Sequence, residues 1–169
     1  RRINYQTEQN RNTIIELKKL SDILYKVRIR QVQGNTNITV DNLQTDSRKV
    51  SKGSVFIAVR GVNADGHQFI EKAVQQGAIA VVAETLPANT DENITWVQVE
   101  NSAAAAGFMA HNFYGQPSEK IRLVGVTGTN GKTTIATLQF KLFSALGYKC
   151  GLLSTVENHI GNKVLEATH

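Results

Sequence analysis

The positions of apolar residues in the first two thirds of the chain predict several strands. Continuous apolar runs, which are typical of strands buried on both faces, occur at residues 55–59 and 79–83. Alternating apolar and polar positions, which are typical of half-buried strands, occur at residues 38–40 and 94–99. These four stretches predict four strands, of which two are buried and two are half-buried.

Three stretches with helical spacing precede or separate these strands. The first begins at Thr13 and has apolar residues at helical intervals, namely Leu17, Leu20, Leu24 and Val27. The second covers residues 69–74, and the third runs from an Asn101 cap to about Tyr114. Strands that alternate with helices favour the α/β class. We therefore predict a small α/β domain at residues 13–117, after a polar tail at residues 1–12.

The sequence Gly115-Gln116-Pro117-Ser118 is a predicted linker, and a second pattern follows it. This pattern is typical of one strand–helix–strand unit, with its elements at residues 121–126, 133–146 and 149–153. We assign it to the start of a second, incomplete domain at residues 118–169. One such unit cannot cover both faces of a parallel sheet. We therefore expect partly bare strands, and a chain that is aggregation-prone or disordered after about Glu119.

Composition and charge exclude several classes of protein. The chain has 169 residues, 41% of them hydrophobic and 20% charged, as in an ordinary globular protein. Its net charge of +5 is spread out, without a nucleic-acid recognition motif, and it suits ligands with several phosphates. No apolar run approaches the ~18 residues of a membrane span. We therefore expect a cytoplasmic protein without nucleic-acid binding or membrane insertion; the sequence does not indicate an oligomeric state.

Cysteine and histidine usage adds two further exclusions. Cys150 is the single cysteine, so the chain cannot form an internal disulfide, which fits a reducing compartment. The four histidines are far apart and lack the spacing of zinc ligands: His67, His111, His159 and His169. A zinc cluster built from them is therefore not expected.

The richest chemistry lies at residues 128–134, which read G-T-N-G-K-T-T between a predicted strand and a predicted helix. Glycine at positions 128 and 131 allows positive φ and close approach of a ligand to the backbone. Such a loop binds nucleotide phosphates through its amides, a lysine charge and the start of the helix, and a hydroxyl holds Mg²⁺. We expect nucleotide contacts from these residues, with Lys132 as the catalytic cation and Thr133 as the metal ligand: Gly128, Thr129, Asn130, Gly131, Lys132, Thr133 and Thr134. The alternative is a plain strand-to-helix turn with a surface lysine.

The chain resembles the Mur ligase family, the ATP-dependent amide-bond ligases of peptidoglycan synthesis. Four stretches show the resemblance: T-D-S-R-K-V at 45–50, G-S-V-F-I-A-V-R-G-V-N-A-D-G-H at 53–67, the loop at 128–134, and G-L-L-S-T-V-E-N at 151–158. The common phosphate loop has a glycine five residues before Gly131, where this chain has Val126. The resemblance implies that this departure is normal for the family.

The resemblance also implies a domain plan and a substrate site. It implies an N-terminal domain that holds the UDP end of the substrate, a central P-loop domain that binds ATP with Mg²⁺, and a C-terminal domain. This chain would contain the first domain and the first β-α-β unit of the second. The implied contacts to the UDP-muramoyl-dipeptide are Thr45, Ser47, Val62, Asn63, Ala64 and His169. The alternative is that the segments around Asp46 and Asp65 are turns without a ligand.

The implied reaction joins an amino acid to UDP-N-acetylmuramoyl-L-alanyl-D-glutamate. ATP would phosphorylate the glutamate carboxylate, and the amine of the incoming amino acid would attack the acyl phosphate. The resemblance favours the branch that adds the third amino acid, either meso-diaminopimelate or L-lysine. Two alternatives remain: the branch that adds the D-alanyl-D-alanine dipeptide, and a non-catalytic UDP-sugar-binding module. We expect no turnover by the 169 residues alone, because the implied carboxylate metal ligands and amino-acid selector lie beyond His169.

Overall fold

A computed structural model describes residues 18–61 and 64–167 of the chain. The chain divides into two compact units, with Ile121 at the end of the first and Arg122 at the start of the second. No helix in the described ranges is both long and apolar enough to cross a bilayer.

The first unit is built on a five-stranded mixed sheet in the order β2-β7-β6-β5-β4. Its strands are β2 (Ile29–Gln33), β4 (Asn42–Gln44), β5 (Ser54–Ile57), β6 (Ala80–Ala83) and β7 (Thr95–Val99). Strands β4 to β7 run parallel, while β2 pairs antiparallel with β7 at one edge. A separate two-stranded ladder joins β1 (Lys18–Lys19) to β3 (Thr39–Val40). The predicted α/β class is confirmed.

Alternate side chains of the central strands form two cores on opposite faces of this sheet. One face packs against α1 (Leu20–Ile23) and α3 (Ser102–Phe113), and it includes Val55 and Ile57. The other face packs against α2 (Ile70–Gln75), and it includes Phe56 and Ala58. Because both faces are covered, β5 and β6 are buried throughout. The predicted strands at residues 55–59 and 79–83 are confirmed.

Helix α3 is fixed by contacts at both ends. The Asn101 side chain caps its start by accepting a hydrogen bond of 2.8 Å from the amide of Ala104. Near its end, the Asn112 side chain donates to the carbonyl oxygens of Ile23 and Tyr25, at 3.0 and 2.7 Å. The predicted helix from Asn101 to about Tyr114 is therefore confirmed, and its buried residues hold α1 against the sheet.

The predicted helix from Thr13 through Val27 is wrong in its described part. Lys18–Lys19 form a strand, only Leu20–Ile23 are helical, and Lys26 has a φ of 62°. Leu20 and Leu24 are buried as the spacing suggested, but a single helical turn is enough to bury both. Strand β2 was missed because most of its residues are exposed at the sheet edge. Residues 1–17, with the predicted tail, lie outside the described residues.

The second unit contains one long helix and a small antiparallel sheet. Helix α4 (Lys132–Ala145) is followed by β8 (Gly151–Leu152), β9 (Glu157–Ile160) and β10 (Lys163–Glu166), which pair in the order β10-β9-β8. The predicted helix at 133–146 is confirmed, and Gly147 follows it with a φ of 87°.

The predicted strand at residues 121–126 is not formed, and β8 is shorter than the predicted strand at 149–153. Strand β8 pairs antiparallel with β9, so the described chain has no parallel β-α-β ladder in this unit. A strand is defined by its pairing, and residues 121–126 find no ladder partner among the described residues. Leu123 and Val124 are 76% and 66% exposed, as expected for an apolar stretch that no neighbouring strand or helix covers.

Candidate functional site

The carboxyl ends of the parallel strands bring four segments to one edge of the first sheet. Thr45 and Ser47 follow β4, the segment from Arg60 follows β5, Glu84 follows β6 and Asn101 follows β7. In open α/β sheets, ligands bind in the crevice outside the carboxyl ends of the strands. The predicted contacts Thr45, Ser47 and Ala64 therefore lie at the edge where such a fold binds its ligand.

A tight turn holds the segment after β4. Residues Ser47–Lys49 form one 3-10 turn, and the Asp46 side chain caps it by accepting a hydrogen bond from the amide of Arg48. Asp46 also binds the Arg48 guanidinium, with a shortest distance of 2.8 Å. This side-chain hydrogen bond lowers the pKa of Asp46 to about 2. Ser47 is buried and Thr45 is exposed, so the turn offers one shielded and one accessible hydroxyl.

The segment after β5 turns back on itself at the same edge. The Gly61 amide donates to the Ala64 carbonyl oxygen, and the Gly66 amide donates to the Val59 carbonyl oxygen, each at 2.9 Å. A Cβ atom at residue 66 would lie 2.7 Å from that same Val59 oxygen, so the position requires glycine. Ala64 is exposed at this turn. The predicted contacts Val62 and Asn63 lie outside the described residues.

A network of charged and polar groups supports this turn. The Asp65 carboxylate accepts from the His67 amide at 3.0 Å and contacts His67 Nδ1 at 2.6 Å. The Glu84 amide donates to His67 Nε2 at 3.1 Å. The Glu84 carboxylate accepts from the Ser102 amide and hydroxyl at 3.0 and 3.2 Å. The Arg60 Nε atom lies 3.6 Å from Asp65 and 3.5 Å from Glu84.

Hydrogen bonding sets the charge state of both carboxylates in this network. The His67 amide is the main reason that the pKa of Asp65 is lowered. The Ser102 amide, in the first turn of α3, is the main reason that the pKa of Glu84 is lowered. Both groups are therefore anionic at neutral pH and hold Arg60 between them. Neither Glu84 nor His67 was among the predicted site residues, although a carboxylate directly after a buried strand is a usable indication of a ligand edge.

The loop before α4 has the backbone of a phosphate-binding turn. Gly128 and Gly131 have φ values of 149° and 75°, and α4 begins at Lys132. The Lys132 ammonium group donates to the carbonyl oxygens of Gly128 and Thr129. The first amides of a helix have no carbonyl partner within it, so those of Lys132, Thr133 and Thr134 are available as donors. The predicted loop, which has Asn130 at its centre, is therefore followed directly by a helix, but no strand precedes it in the described chain.

One side chain next to this loop is suitable as a ligand for Mg²⁺. The Thr133 hydroxyl belongs to the first turn of α4 and is half-buried. In the described part of the chain, no group of three histidine, cysteine, aspartate or glutamate side chains could hold a metal. A single hydroxyl fits Mg²⁺ when nucleotide phosphates and waters provide the other ligands.

Hydrogen bonds within the chain account for the polar residues that follow β8. The Ser154 hydroxyl donates to the Glu157 carbonyl oxygen at 2.7 Å, and the Ser154 amide donates to Asn158 Oδ1 at 3.1 Å. These contacts close the turn between β8 and β9. His169, a predicted substrate contact, lies outside the described residues.

Comparison with known proteins shows similarity to one family. The family model described as "Mur ligase family, catalytic domain" matches residues 39–114, the part that contains the parallel sheet. Over these residues, the chain is similar to the Mur ligase family. A Mur ligase from Cytophaga hutchinsonii, named UDP-N-acetylmuramoyl-L-alanyl-D-glutamate--2,6-diaminopimelate ligase, is 56% identical over 152 residues. That alignment covers 89% of this chain and 31% of the relative.

Two further matches agree with this similarity. A ligase of the same name from Bacteroides fragilis is 46% identical, over 89% of this chain and 31% of its own length. A solved structure of a UDP-N-acetylmuramoyl-L-alanyl-D-glutamate--2,6-diaminopimelate ligase has a TM-score of 0.67 and 25% identity, over 88% of this chain and 30% of that one. The chain thus spans about a third of the length of the Mur ligases that it matches.

Proposed function

We propose that the chain is part of a Mur ligase that joins 2,6-diaminopimelate to UDP-N-acetylmuramoyl-L-alanyl-D-glutamate in peptidoglycan precursor synthesis. The main support is the 56% identity to a ligase named for these two substrates, over 89% of the chain. A cytoplasmic location is part of the proposal, as is a role in cell-wall growth and division. The rest of the ligase would lie outside the 169 residues.

The UDP end of the substrate would bind at the carboxyl edge of the first sheet. The hydroxyl groups of Thr45 and Ser47 and the backbone at Ala64 offer neutral hydrogen-bonding groups that suit uracil and diphosphate oxygens. The turn geometry supports this proposal, because hydrogen bonds within the chain hold Asp46 to Arg48, Gly61 to Ala64 and Gly66 to Val59 before a ligand arrives. Val62, Asn63 and His169 remain proposed contacts by family resemblance.

ATP would bind at the loop that precedes α4. The amides from Gly128 to Thr134 would surround the phosphates, and the start of α4 would favour their negative charge. Lys132 would exchange its contacts with the carbonyl oxygens of Gly128 and Thr129 for contacts with phosphate oxygens. Thr133 would hold Mg²⁺, which when bound neutralises phosphate charge during transfer.

The reaction would proceed in two steps on the substrate. The D-glutamate carboxylate would take the terminal phosphoryl group of ATP and release ADP. The diaminopimelate amine would then attack the acyl phosphate carbon, form the amide bond and release phosphate. The roles of this chain are to hold the two substrates: Lys132 would offset charge on the transferred phosphoryl group, and the sheet edge would anchor the uridine end.

The amino-acid preference is tested with a protein that contains this chain within a full-length ligase. We expect phosphate release that requires ATP, UDP-N-acetylmuramoyl-L-alanyl-D-glutamate and diaminopimelate together. Substitution of L-lysine for diaminopimelate should abolish most of the release, and D-alanyl-D-alanine with the tripeptide precursor should give none. Release that occurs with lysine but not with diaminopimelate would show that lysine is the amino acid added. Release that occurs only with D-alanyl-D-alanine and the tripeptide precursor would assign the protein to the branch that adds this dipeptide.

A further inference from the structure

We infer that His67 and Glu84 are positioning residues that hold Arg60 and Asp65, and with them the backbone at Ala64, in place for a ligand. The inference rests on the proposed binding of a uridine diphosphate ligand at this edge. Neither residue is itself assigned a ligand contact.

The His67 ring connects the ends of two neighbouring strands. Its Nδ1 atom lies 2.6 Å from the Asp65 carboxylate, in the turn after β5, and its Nε2 atom accepts from the Glu84 amide, just after β6. Because Nε2 accepts a hydrogen bond, Nδ1 is the protonated nitrogen and donates to Asp65. The ring is mostly buried, with 14% of its side chain exposed. It therefore fixes Asp65 relative to the sheet edge.

The Glu84 carboxylate connects the same turn to the start of α3. It accepts from the amide and hydroxyl of Ser102 and lies 3.5 Å from the Arg60 guanidinium. Arg60 also faces Asp65, and residues 60 and 65 form an isolated bridge between the two arms of the turn. Both arms are thus anchored to groups outside the turn.

This anchoring determines where the Ala64 backbone lies. Gly61 and Ala64 are hydrogen-bonded to each other inside the bridge of residues 60 and 65. A shift of Asp65 or Arg60 therefore moves the Ala64 backbone, which the proposed function uses as a ligand contact. A misplacement of about 1 Å is enough to weaken directional hydrogen bonds substantially.

The test uses calorimetric titration of this chain with UDP-N-acetylmuramoyl-L-alanyl-D-glutamate, with circular dichroism to verify folding. His67→Phe keeps a planar ring but removes both hydrogen bonds of the imidazole, and we expect binding about tenfold weaker. His67→Gln keeps one donor and one acceptor, and we expect most of the affinity to return. Glu84→Gln keeps an acceptor for Ser102 but loses the charge that faces Arg60, and we expect binding about threefold weaker.

The second unit provides a matched control. His159 also contacts a carboxylate, Glu157, at 2.7 Å with 18% of its side chain exposed. His159→Phe should leave the affinity unchanged. Wild-type affinity in a folded His67→Phe variant would overturn the inference alone; if that variant does not fold, wild-type affinity in Glu84→Gln would do the same. Absence of binding by the folded wild-type chain would overturn the proposed function, and the inference with it.

Discussion

At the scale of single residues, the candidate site depends on short turns that polar side chains hold in place. Asp46 is an example, because it caps the turn that contains Ser47 and also binds the Arg48 guanidinium. The Asp46–Arg48 ion pair is at the surface, so it fixes the local conformation more than it stabilises the fold. Its protonation state is the most direct measure of this arrangement.

Removal of the Arg48 side chain should raise the pKa of Asp46. The side-chain hydrogen bond from Arg48 is the main reason for the value of about 2, against an ordinary value of 3.8. In Arg48→Ala, an NMR pH titration of the Asp46 carboxyl should therefore give a value nearer 3.8. A value that stays near 2 would show that the Arg48 guanidinium is not the cause.

The same shift predicts a pH dependence of stability. Because the folded-state pKa is below the unfolded one, the carboxylate stabilises the fold above about pH 3.8, and this contribution is lost as the pH falls towards 2. The difference in melting temperature between wild type and Asp46→Asn should be full at pH 7, shrink below about pH 3.8 and be mostly lost by pH 2. A difference that is independent of pH would contradict the ionic role of Asp46.

Gly66 should be intolerant of any side chain. A Cβ atom there would lie 2.7 Å from the Val59 carbonyl oxygen and 2.8 Å from the Val59 amide nitrogen. We expect Gly66→Ala to destabilise the first unit by roughly 1–3 kcal/mol in urea unfolding. Gly107→Ala is the control, because a Cβ atom there meets no atom within 4 Å, and we expect it to stabilise α3 by about 0.5–1 kcal/mol. Equal effects of the two substitutions would contradict the predicted close contact.

At the scale of elements, the predictions from sequence succeeded where apolar runs are long and buried. The runs at residues 55–59 and 79–83 form β5 and β6 because both sheet faces are covered. The helix expected after Thr13 failed because burial of Leu20 and Leu24 at helical spacing needs only one turn. The strand expected at 121–126 failed because its apolar pattern has no neighbouring strand to pair with in the described chain.

The candidate site also has one part that could be predicted from sequence and one part that could not. The backbone of the glycine loop at 128–134, with positive φ at both glycines and a helix directly after it, could be predicted because its pattern lies within seven consecutive residues. The support of the turn at 60–66 could not, because His67 and Glu84 are separated by 17 residues and meet only when β5 and β6 pair. Such contacts depend on tertiary structure and leave no local pattern.

Helices α3 and α4 should differ in hydrogen exchange. Four residues of α3 are buried, whereas none of α4 is, and Leu138 and Leu142 of α4 are 61% and 57% exposed. Helical stability in proteins comes mainly from packing of an apolar face. Exchange measured by mass spectrometry on the monomeric chain should therefore be much faster in α4 than in α3. Strong protection across residues 121–153 would contradict this expectation.

At the scale of the whole molecule, the chain comprises one unit with two packed cores and a second unit with a mostly exposed helix. The first unit contains the proposed anchor for the uridine end, and the second contains the proposed start of the ATP site. The chain spans 31% of the Cytophaga hutchinsonii relative, so its 169 residues correspond to less than a third of a ligase of that length.

The 169 residues alone should therefore have no ligase turnover. Phosphate release in the presence of ATP, UDP-N-acetylmuramoyl-L-alanyl-D-glutamate and diaminopimelate should equal the release when any one of them is omitted. The full-length ligase, assayed in parallel, is the positive control. Release by the chain that depends on all three substrates would show that the residues described here are sufficient for catalysis.

We propose that the carboxyl edge of the first sheet binds the uridine diphosphate end of the substrate. The most direct measurement is calorimetric titration of the folded chain with UDP-N-acetylmuramoyl-L-alanyl-D-glutamate, for wild type, Ser47→Ala and the control Ser21→Ala, which alters an exposed hydroxyl on α1. We predict that wild type and Ser21→Ala bind equally, and that Ser47→Ala binds about tenfold more weakly. Equal affinity in all three proteins, or no binding by the folded wild-type chain, would contradict the account.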